Sequence, residues 1–273
     1  MRQLNRRQRT LLLLLLTLSV LLAVTLAGAL LTQRATETDF SRMNRSPSLT
    51  FLFGTDWMGR DMLASTLAGL SLSIRIGVLT ALVSAVIALL CGVAAALSRR
   101  ADAVLSWCID LFLGIPHILL VMLISLAFGR GFLGVVAGVS LSHWPSLARV
   151  IRGEVLSLRH APYLLAAEKL GAPRGQIVRR HLLPHLLPQF LTGLILQFPH
   201  AILHEASVTF LGFGLSSEQP AIGVILSESM QYLTTGRWWL ALFPGLALVG
   251  VVLLFAALGE QVRRVLDPSS VHQ

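Results

Sequence analysis

Between two long apolar runs the chain carries the segment Tyr163-Leu164-Leu165-Ala166-Ala167-Glu168-Lys169-Leu170-Gly171-Ala172, followed by Arg180-His181-Leu182-Leu183-Pro184. Both pieces lie in the longest polar break of an otherwise apolar sequence, about residues 149–188. The pattern predicts a short helix that ends at Gly171, because glycine adopts the left-handed backbone of a helix C-terminus at little cost. A small-residue helix between two membrane spans suits docking into a groove of another protein better than it suits chemistry.

The composition is that of a membrane protein with several spans. Hydrophobic residues make up 55% and charged residues 13% of the 273 residues, which excludes an ordinary soluble domain. Runs of about 20 apolar residues, enough to cross a hydrocarbon core of about 30 Å, predict an all-α polytopic fold with six transmembrane helices. The first run is interpreted as a retained span rather than a signal peptide. The runs are approximately Leu11–Thr32, Ile76–Leu97, Val104–Phe128, Phe132–Leu147, Leu186–Leu203 and Trp239–Gly259.

The distribution of Lys and Arg predicts the orientation. With six spans, fifteen of the 22 Lys and Arg residues fall in one set of alternate segments and seven in the other. Basic residues concentrate in cytoplasmic segments, so both termini and the Ala166–Ala167 segment are expected in the cytoplasm. This topology explains the +9 net charge, and nucleic-acid binding is not expected because the charges are dispersed. The expected divisions are an N-terminus 1–10, a first span 11–32, an outer loop 33–73, a core 74–262 with a cytoplasmic loop 149–185, and a tail 263–273.

The outer loop contains a glycine-punctuated cluster of charged residues. These side chains can close on one another as a turn, or cap the helix that follows. We expect a structural role for the cluster, which consists of Thr55, Asp56, Gly59, Arg60 and Asp61.

Span three contains Asp110 and the pair Pro116-His117 in apolar surroundings. A carboxylate facing lipid is costly, so Asp110 is expected to pair with Arg99 or Arg100, with a place on a proton path as the weaker alternative. Pro116 removes a backbone hydrogen bond and can kink the helix. Pro116 and His117 are therefore candidates for a translocation path, although such kinks also occur in inert bundles.

Span five contains His200 and His204 on one helical face, followed by Glu205. Histidines four residues apart suit a transition metal, and packing of the pair remains equally open. A metalloprotease helix would need a second histidine where Val208 stands, so an intramembrane zinc hydrolase is disfavoured. His200, His204 and Glu205 are further candidates for the translocation path, with metal contact by the two histidines as a transient event.

No catalytic or nucleotide-binding pattern is visible in the sequence. It has no Gly-x-x-x-x-Gly-Lys-Ser/Thr loop for phosphates, so nucleotide energy must come from a partner. A membrane enzyme would need convergent acid, base or nucleophile groups, and a secondary transporter would often show internal repeats, which are not visible. The ionisable residues of the apolar segments look scattered: Asp110, His117, His143, His200 and Glu205.

Taken together, the chain resembles the integral-membrane permeases of bacterial ATP-binding-cassette importers, in the dipeptide, oligopeptide and nickel group, from about Phe53 to Pro268. The loop signature of that family is Glu-Ala-Ala, three residues, Gly, nine residues, then Ile-x-Leu-Pro. Leu165 and His181 depart from it at the Glu and Ile positions. The matching residues are Ala166, Ala167, Gly171, Leu183 and Pro184. Supporting matches are Gly54-Thr55-Asp56 with Gly59-Arg60-Asp61, Asp110 with Pro116, and Phe210-Leu211-Gly212 with Gly214.

This resemblance implies a type I importer permease of the second permease type, in the bacterial inner membrane. Such a permease pairs with a second homologous permease, sits on two cytoplasmic ATPase subunits and receives solute from an extracytoplasmic binding protein. It is a transport subunit with no catalytic residue and no cofactor of its own, since ATP and Mg²⁺ are held by the ATPases.

The resemblance also assigns the short helix to ATPase docking, and an amphipathic helix on lipid headgroups is the alternative. The docking residues would be Tyr163, Ala166, Ala167, Glu168, Lys169, Leu170, Gly171 and Ala172. For the substrate, the His200 and His204 pair and the run Leu141–Trp144 favour nickel or a metal chelate. Import of dipeptides or oligopeptides by the same mechanism is the alternative.

Overall fold

The protein is described here by a computed structural model that covers residues 6–158 and 161–266. In these ranges it contains helices and no strand, apart from an isolated bridge between Thr55 and Asp61, so the expected all-α fold is confirmed. Parts of the predicted terminal segments, and Arg159 and His160 of the predicted cytoplasmic loop, lie outside the described residues. The helices are α1 Arg6–Leu30, α2 Thr32–Thr36, α3 Met62–Leu97, α4 Arg99–Gly114, α5 His117–Ala127, α6 Gly131–Leu158, α7 Pro162–Lys169, α8 Arg174–Ile177, α9 Leu183–Phe210, α10 Ile222–Leu233 and α11 Trp239–Leu266.

Four helical stretches of the described chain are long and apolar enough to cross a membrane. They are Gln8–Leu30, Met62–Ala95, Gly175–Phe210 and Trp239–Leu266, and the bent pair α4 and α5 makes a fifth if it is one span. Helix α6, the expected fourth span, is interrupted by polar residues such as Ser140, Ser142 and His143, which are buried inside the bundle. The chain is therefore a multi-pass membrane protein. A count of six spans also requires α6, whose polar residues are buried against neighbouring helices.

The expected third span is not one continuous helix. Helices α4 and α5 meet at Ile115 and Pro116 with a bend of 102°. Ile115 has an extended backbone, with φ −88° and ψ 137°, because a residue that precedes proline is pushed out of the helical region. The predicted span over Val104–Phe128 is thus broken at Pro116, where the expected kink is a bend of 102°.

Helix α3 is the centre of the bundle and packs against α1, α4, α6 and α9. Small residues permit close approach on two sides: Ala85 and Ala88 pack near Ala148 of α6. On the other side, a Cβ at Gly28 of α1 would lie only 2.0 Å from the carbonyl oxygen of Leu67. Close packing of this kind is the main source of helix association in lipid, where hydrophobic burial contributes little.

The outer loop folds into a compact turn that begins α3. Asp61 caps the helix, because its carboxylate accepts hydrogen bonds from the amides of Leu63 at 3.0 Å and Ala64 at 3.4 Å. Asp56 accepts from the amide of Arg60 at 2.8 Å and also binds its guanidinium. The turn and the cap, which the sequence left as alternatives, are both present.

Two small residues give this turn its tight path. Gly59 has φ +75°, and a Cβ there would lie 1.9 Å from the carbonyl oxygen of Asp39, so a side chain does not fit. The Thr55 hydroxyl donates to the carbonyl of Arg42 and accepts from the amide of Arg45. The loop is thereby fastened to the segment that precedes it.

Asp110 is paired, but not with the expected partner. Its carboxylate contacts Nη2 of Arg149 on α6 at 2.6 Å. Arg99 and Arg100 stand in the first turn of α4, about 15 Å along the helix from Asp110 at 1.5 Å per residue, and so cannot reach it. The expectation of Arg99 or Arg100 is wrong, because α4 packs alongside α6 and presents its acidic residues to that helix.

Candidate functional sites

Helix α7 has a well-defined beginning and end. Pro162 is its first residue, where a missing amide hydrogen costs nothing. At the other end the amide of Ala172 donates to the carbonyl of Ala167 at 3.1 Å, while Gly171 has φ +80°. This is a Schellman ending, in which a residue in the left-handed region lets the chain turn away from the helix. The helix end is placed where the sequence pattern predicted it.

The two faces of α7 differ sharply. Leu164 is buried and belongs to the same apolar cluster as Leu158, Leu182 and Leu186. In contrast, Tyr163, Leu165 and Leu170 are exposed, and the Leu170 side chain is 87% exposed. Among the described residues, the outer face of α7 thus exposes large apolar side chains.

The other predicted docking residues complete this face. Ala166, Lys169 and Gly171 are exposed, whereas Ala167 and Ala172 are half-buried. The side chain of Glu168 lies outside the described residues, and so does that of Arg174. Small, exposed Ala166 beside the apolar residues gives a smooth surface that another protein can approach closely.

Helix α7 is connected to two long helices. A π-helical turn, Val178–Leu182, leads into α9, and the Tyr163 ring lies 6.0 Å from the ring of His181 in that turn. Because Leu158 ends α6 and Leu182 precedes α9, the buried Leu164 contacts the ends of both helices through one cluster. Helix α7 is therefore packed against the ends of both α6 and α9.

Three histidines from three different helices meet inside the bundle. His117 begins α5, His143 lies in α6 and His204 lies in α9. Their ring centroids are 4.4 to 5.0 Å apart, and one nitrogen from each ring lies within 4.8 Å of the others. His143 is buried and the other two are half-buried. The prediction that His117 and His143 are scattered is therefore wrong, because the two rings meet each other and that of His204.

The sequence pattern only partly indicates this cluster. Pro116 stands at the bend and brings His117 to the start of α5. His200, expected as the partner of His204, is exposed one helical turn earlier and is not part of the three-histidine group. His143 was not among the expected site residues, although it lies in a polar break, Ser142-His143-Trp144-Pro145, within an apolar helix.

Glu205 follows His204 but belongs to a different polar contact. Its side chain is fully buried, and one carboxylate oxygen accepts from the hydroxyl of Thr209 at 3.1 Å. The Thr209 hydroxyl also accepts from the amide of Leu215 at 3.3 Å. Glu205 is therefore tied to the loop after α9 rather than to the histidines.

That loop is packed against the loop between α5 and α6. The amide of Gly131 donates to the carbonyl of Gly214 at 2.9 Å, and the Ser125 hydroxyl donates to the carbonyl of Phe213 at 2.9 Å. Arg130 lies over the Phe213 ring, 5.4 Å from its centroid. The motif Phe210-Leu211-Gly212 with Gly214 is thus held against the end of α5 and the loop that follows it.

The arrangement of these elements agrees with comparisons to known proteins. Residues 84–271 match the family described as binding-protein-dependent transport system inner membrane component. The chain belongs to this family. It is 36% identical to a peptide transport system permease protein of Brucella suis biovar 1 (strain 1330), over 98% of this chain and 90% of the relative. It is 31% identical to the dipeptide transport system permease protein DppC of Bacillus subtilis (strain 168), over 84% of this chain and 72% of the relative.

Solved structures of importer permeases share the fold. A chain of the MetNI methionine ABC transporter, in an inward-facing conformation, superposes with a TM-score of 0.58 at 21% identity, covering 76% of this chain and 98% of that one. A chain of an amino acid ABC transporter crystallised with histidines gives a TM-score of 0.58 at 18% identity, covering 74% and 94%. The fold is therefore that of a type I importer permease.

Family and fold together establish the class of protein. The chain is an inner-membrane permease subunit of an ATP-binding-cassette importer. It transports rather than catalyses, and ATP hydrolysis belongs to a separate ATPase. Importers of this class work with ATPase subunits and with a solute-binding protein.

Proposed function

We propose that this chain forms half of the translocation path of an importer for dipeptides or oligopeptides. The observation that carries the proposal is the set of relatives, which match nearly the whole chain and are named as peptide or dipeptide permeases. The preference for nickel or a metal chelate, drawn from the histidine pattern, has no support among these relatives. The peptide alternative fits better.

Helix α7 is the coupling helix in this proposal. Its exposed outer face, with Leu170 at the tip, docks into a cleft of an ATPase subunit. When ATP closes the ATPase subunits, the force reaches α6 and α9 through the buried Leu164. Both termini and α7 are then cytoplasmic, in agreement with the charge distribution.

The proposed assembly has two permeases, two ATPases and one extracytoplasmic binding protein. A second homologous permease completes the path. ATP and Mg²⁺ are bound by the ATPases, and this chain binds no cofactor in order to transport. Thr55, Asp56, Gly59, Arg60 and Asp61 shape the outer loop on the side of the binding protein.

The histidine cluster is the one observation that favours a second candidate, the import of a metal-bearing solute. His117 and His204 are half-buried beside Pro116 and the bend, where a translocated ligand could reach them. Imidazole is a good ligand for nickel, copper and zinc. A metal chelate would thus find ligands along the path, whereas a plain peptide would need none.

Uptake by the reconstituted transporter distinguishes the two cargoes. The chain, its permease partner, the ATPases and the binding protein are placed in proteoliposomes, and ATP-dependent uptake of a labelled dipeptide and of ⁶³Ni is measured. Peptide uptake that unlabelled peptides compete away, without nickel uptake, is expected. Nickel uptake without peptide uptake would replace the peptide proposal with the metal one.

Docking of α7 is tested by cross-linking. A cysteine at Leu170 is expected to cross-link to an ATPase subunit, and the cross-link should respond to ATP. If the same cysteine reacts only with lipid-soluble reagents and never with the ATPase, α7 lies on the headgroups and the coupling role is wrong.

A further inference from the structure

The three-histidine cluster contains nitrogen atoms that the fold leaves without partners. Nε2 of His117 and Nε2 of His143 are buried and make no hydrogen bond in the structure. His143 is only 8% exposed. A buried polar atom without a partner destabilises the fold, so two such nitrogens in one cluster point to a ligand that binds them.

A hydrogen bond determines which nitrogen of the His143 ring keeps a lone pair. Nδ1 of His143 lies 2.9 Å from the carbonyl oxygen of Val139, and only a protonated Nδ1 can donate to a carbonyl. In a neutral ring, Nε2 then keeps its lone pair. The Ser142 hydroxyl lies 3.1 Å from the same nitrogen, Nδ1. Metal-bound histidines are oriented in this way, with the other nitrogen donating to a backbone carbonyl.

We propose that His117, His143 and His204 form a binding site for a divalent transition metal ion of the zinc class. Each contributes one nitrogen, and these lie within 4.8 Å of one another. Zn–N bonds of about 2.0–2.1 Å require nitrogens somewhat closer together, and side-chain rotation of His117 and His204, which are half-buried, provides that approach. The fourth position stays open for water or a ligand.

The chemistry of the ligand set selects the ion. Three imidazoles suit zinc, nickel and copper, whereas calcium and magnesium need oxygen ligands. Among the described residues no carboxylate joins the group, and buried Glu205 bonds Thr209 instead. The site is thus expected to prefer borderline metals and to ignore Mg²⁺ at the concentration that ATP requires.

The three ligands come from three different helices. Because α5, α6 and α9 each supply one histidine, a bound ion ties together three elements that must shift during alternating access. The proposal does not depend on the cargo, since binding is measured on the resting transporter without solute. Peptide transport can therefore fail while metal binding holds, or the reverse.

The experiment measures metal on the intact transporter. The complex is purified, stripped with a chelator and titrated with Zn²⁺ or Co²⁺, with bound metal measured by mass spectrometry and Co²⁺ by its visible absorption. One tight site per copy of this chain is expected. His143→Gln and His204→Asn should each weaken binding by at least about tenfold, whereas His185→Gln, which removes an exposed ring that contacts Glu154, should leave it unchanged.

Two outcomes overturn the proposal. One is a wild-type complex that binds no more metal than the His143→Gln, His204→Asn double variant. The other is an equal loss on His185→Gln. If the cluster variants do not assemble, X-ray absorption of the zinc-loaded wild type decides: a shell with fewer than three imidazoles rejects the site.

Discussion

The guanidinium of Arg60 contacts the carboxylate of Glu228 at 2.9 Å and joins the outer loop to α10, 168 residues further along the chain. The same guanidinium also binds Asp56, within its own turn. All three side chains are at least partly buried. Arg60 therefore joins the loop before α3 to α10.

Replacement of Arg60 by alanine is expected to loosen this connection. Two carboxylates would lose their positive partner in a partly buried place, at a cost of about 1–3 kcal/mol. We expect Arg60→Ala to lower the thermal unfolding midpoint of the purified complex and to reduce peptide uptake. Arg42→Ala is the control, because the exposed Arg42 side chain forms an ion pair with Asp39, worth less than about 1 kcal/mol, and lies over the Phe51 ring without a buried carboxylate partner. Equal effects of the two changes would contradict a special role for Arg60.

Gly171 is expected to be needed because its backbone is left-handed, and not because a larger side chain would clash with neighbouring atoms. Its φ is +80°, and a Cβ there would meet no atom within 4 Å, so Gly171→Ala strains only the helix ending, by about 1–2 kcal/mol. That strain should displace Leu170 and lower ATPase activity coupled to transport. Gly175→Ala is the matched control, since Gly175 is equally uncrowded but lies in α8 without a positive φ. A coupled activity that survives Gly171→Ala and falls with Gly175→Ala would reverse this argument.

Local patterns in the sequence predicted those features that depend on neighbouring residues. The apolar runs became long helices, and Gly171 ended α7 because one left-handed residue suffices to stop a helix. Asp61 became a cap for the same kind of reason, since a carboxylate three residues before a free amide needs no distant partner.

Features that depend on packing between helices were not predictable in this way. Pro116 indicated a kink, but hydropathy along the chain does not give its size, a bend of 102°, because that angle depends on how the two helices pack. The Asp110 pair with Arg149 and the meeting of His117 with His143 likewise need the relative rotation of separate helices. For these contacts, the sequence signal was a polar residue inside an apolar run, which does not indicate the residue that it contacts.

The orientation of the chain can be tested with two exposed leucines. Leu170 is 87% exposed at the tip of α7 and Leu49 is 98% exposed in the outer loop, so neither supports the fold. In the proposed orientation, Leu170→Asp should abolish co-purification of the ATPase, because a carboxylate replaces the apolar tip. Leu49→Asp should leave the ATPase bound, as it lies on the other side of the membrane. ATPase loss on Leu49→Asp alone would require the opposite orientation.

Two arginines three residues apart on α6 offer a comparison of burial. Arg152 pairs with Asp102 of α4 with both side chains mostly buried, at 29% and 28% exposed, whereas Arg149 and Asp110 are 54% and 71% exposed. Exposed ion pairs are screened and contribute about 0–1 kcal/mol, while a partly buried carboxylate that loses its cation costs about 1–3 kcal/mol. Arg152→Ala is therefore expected to lower the unfolding midpoint several degrees more than Arg149→Ala, measured by thermal shift on the purified complex at matched salt. Added salt should weaken the Arg149 contribution further and leave that of Arg152 largely intact, so a similar salt response for both variants would show that burial does not separate the two pairs.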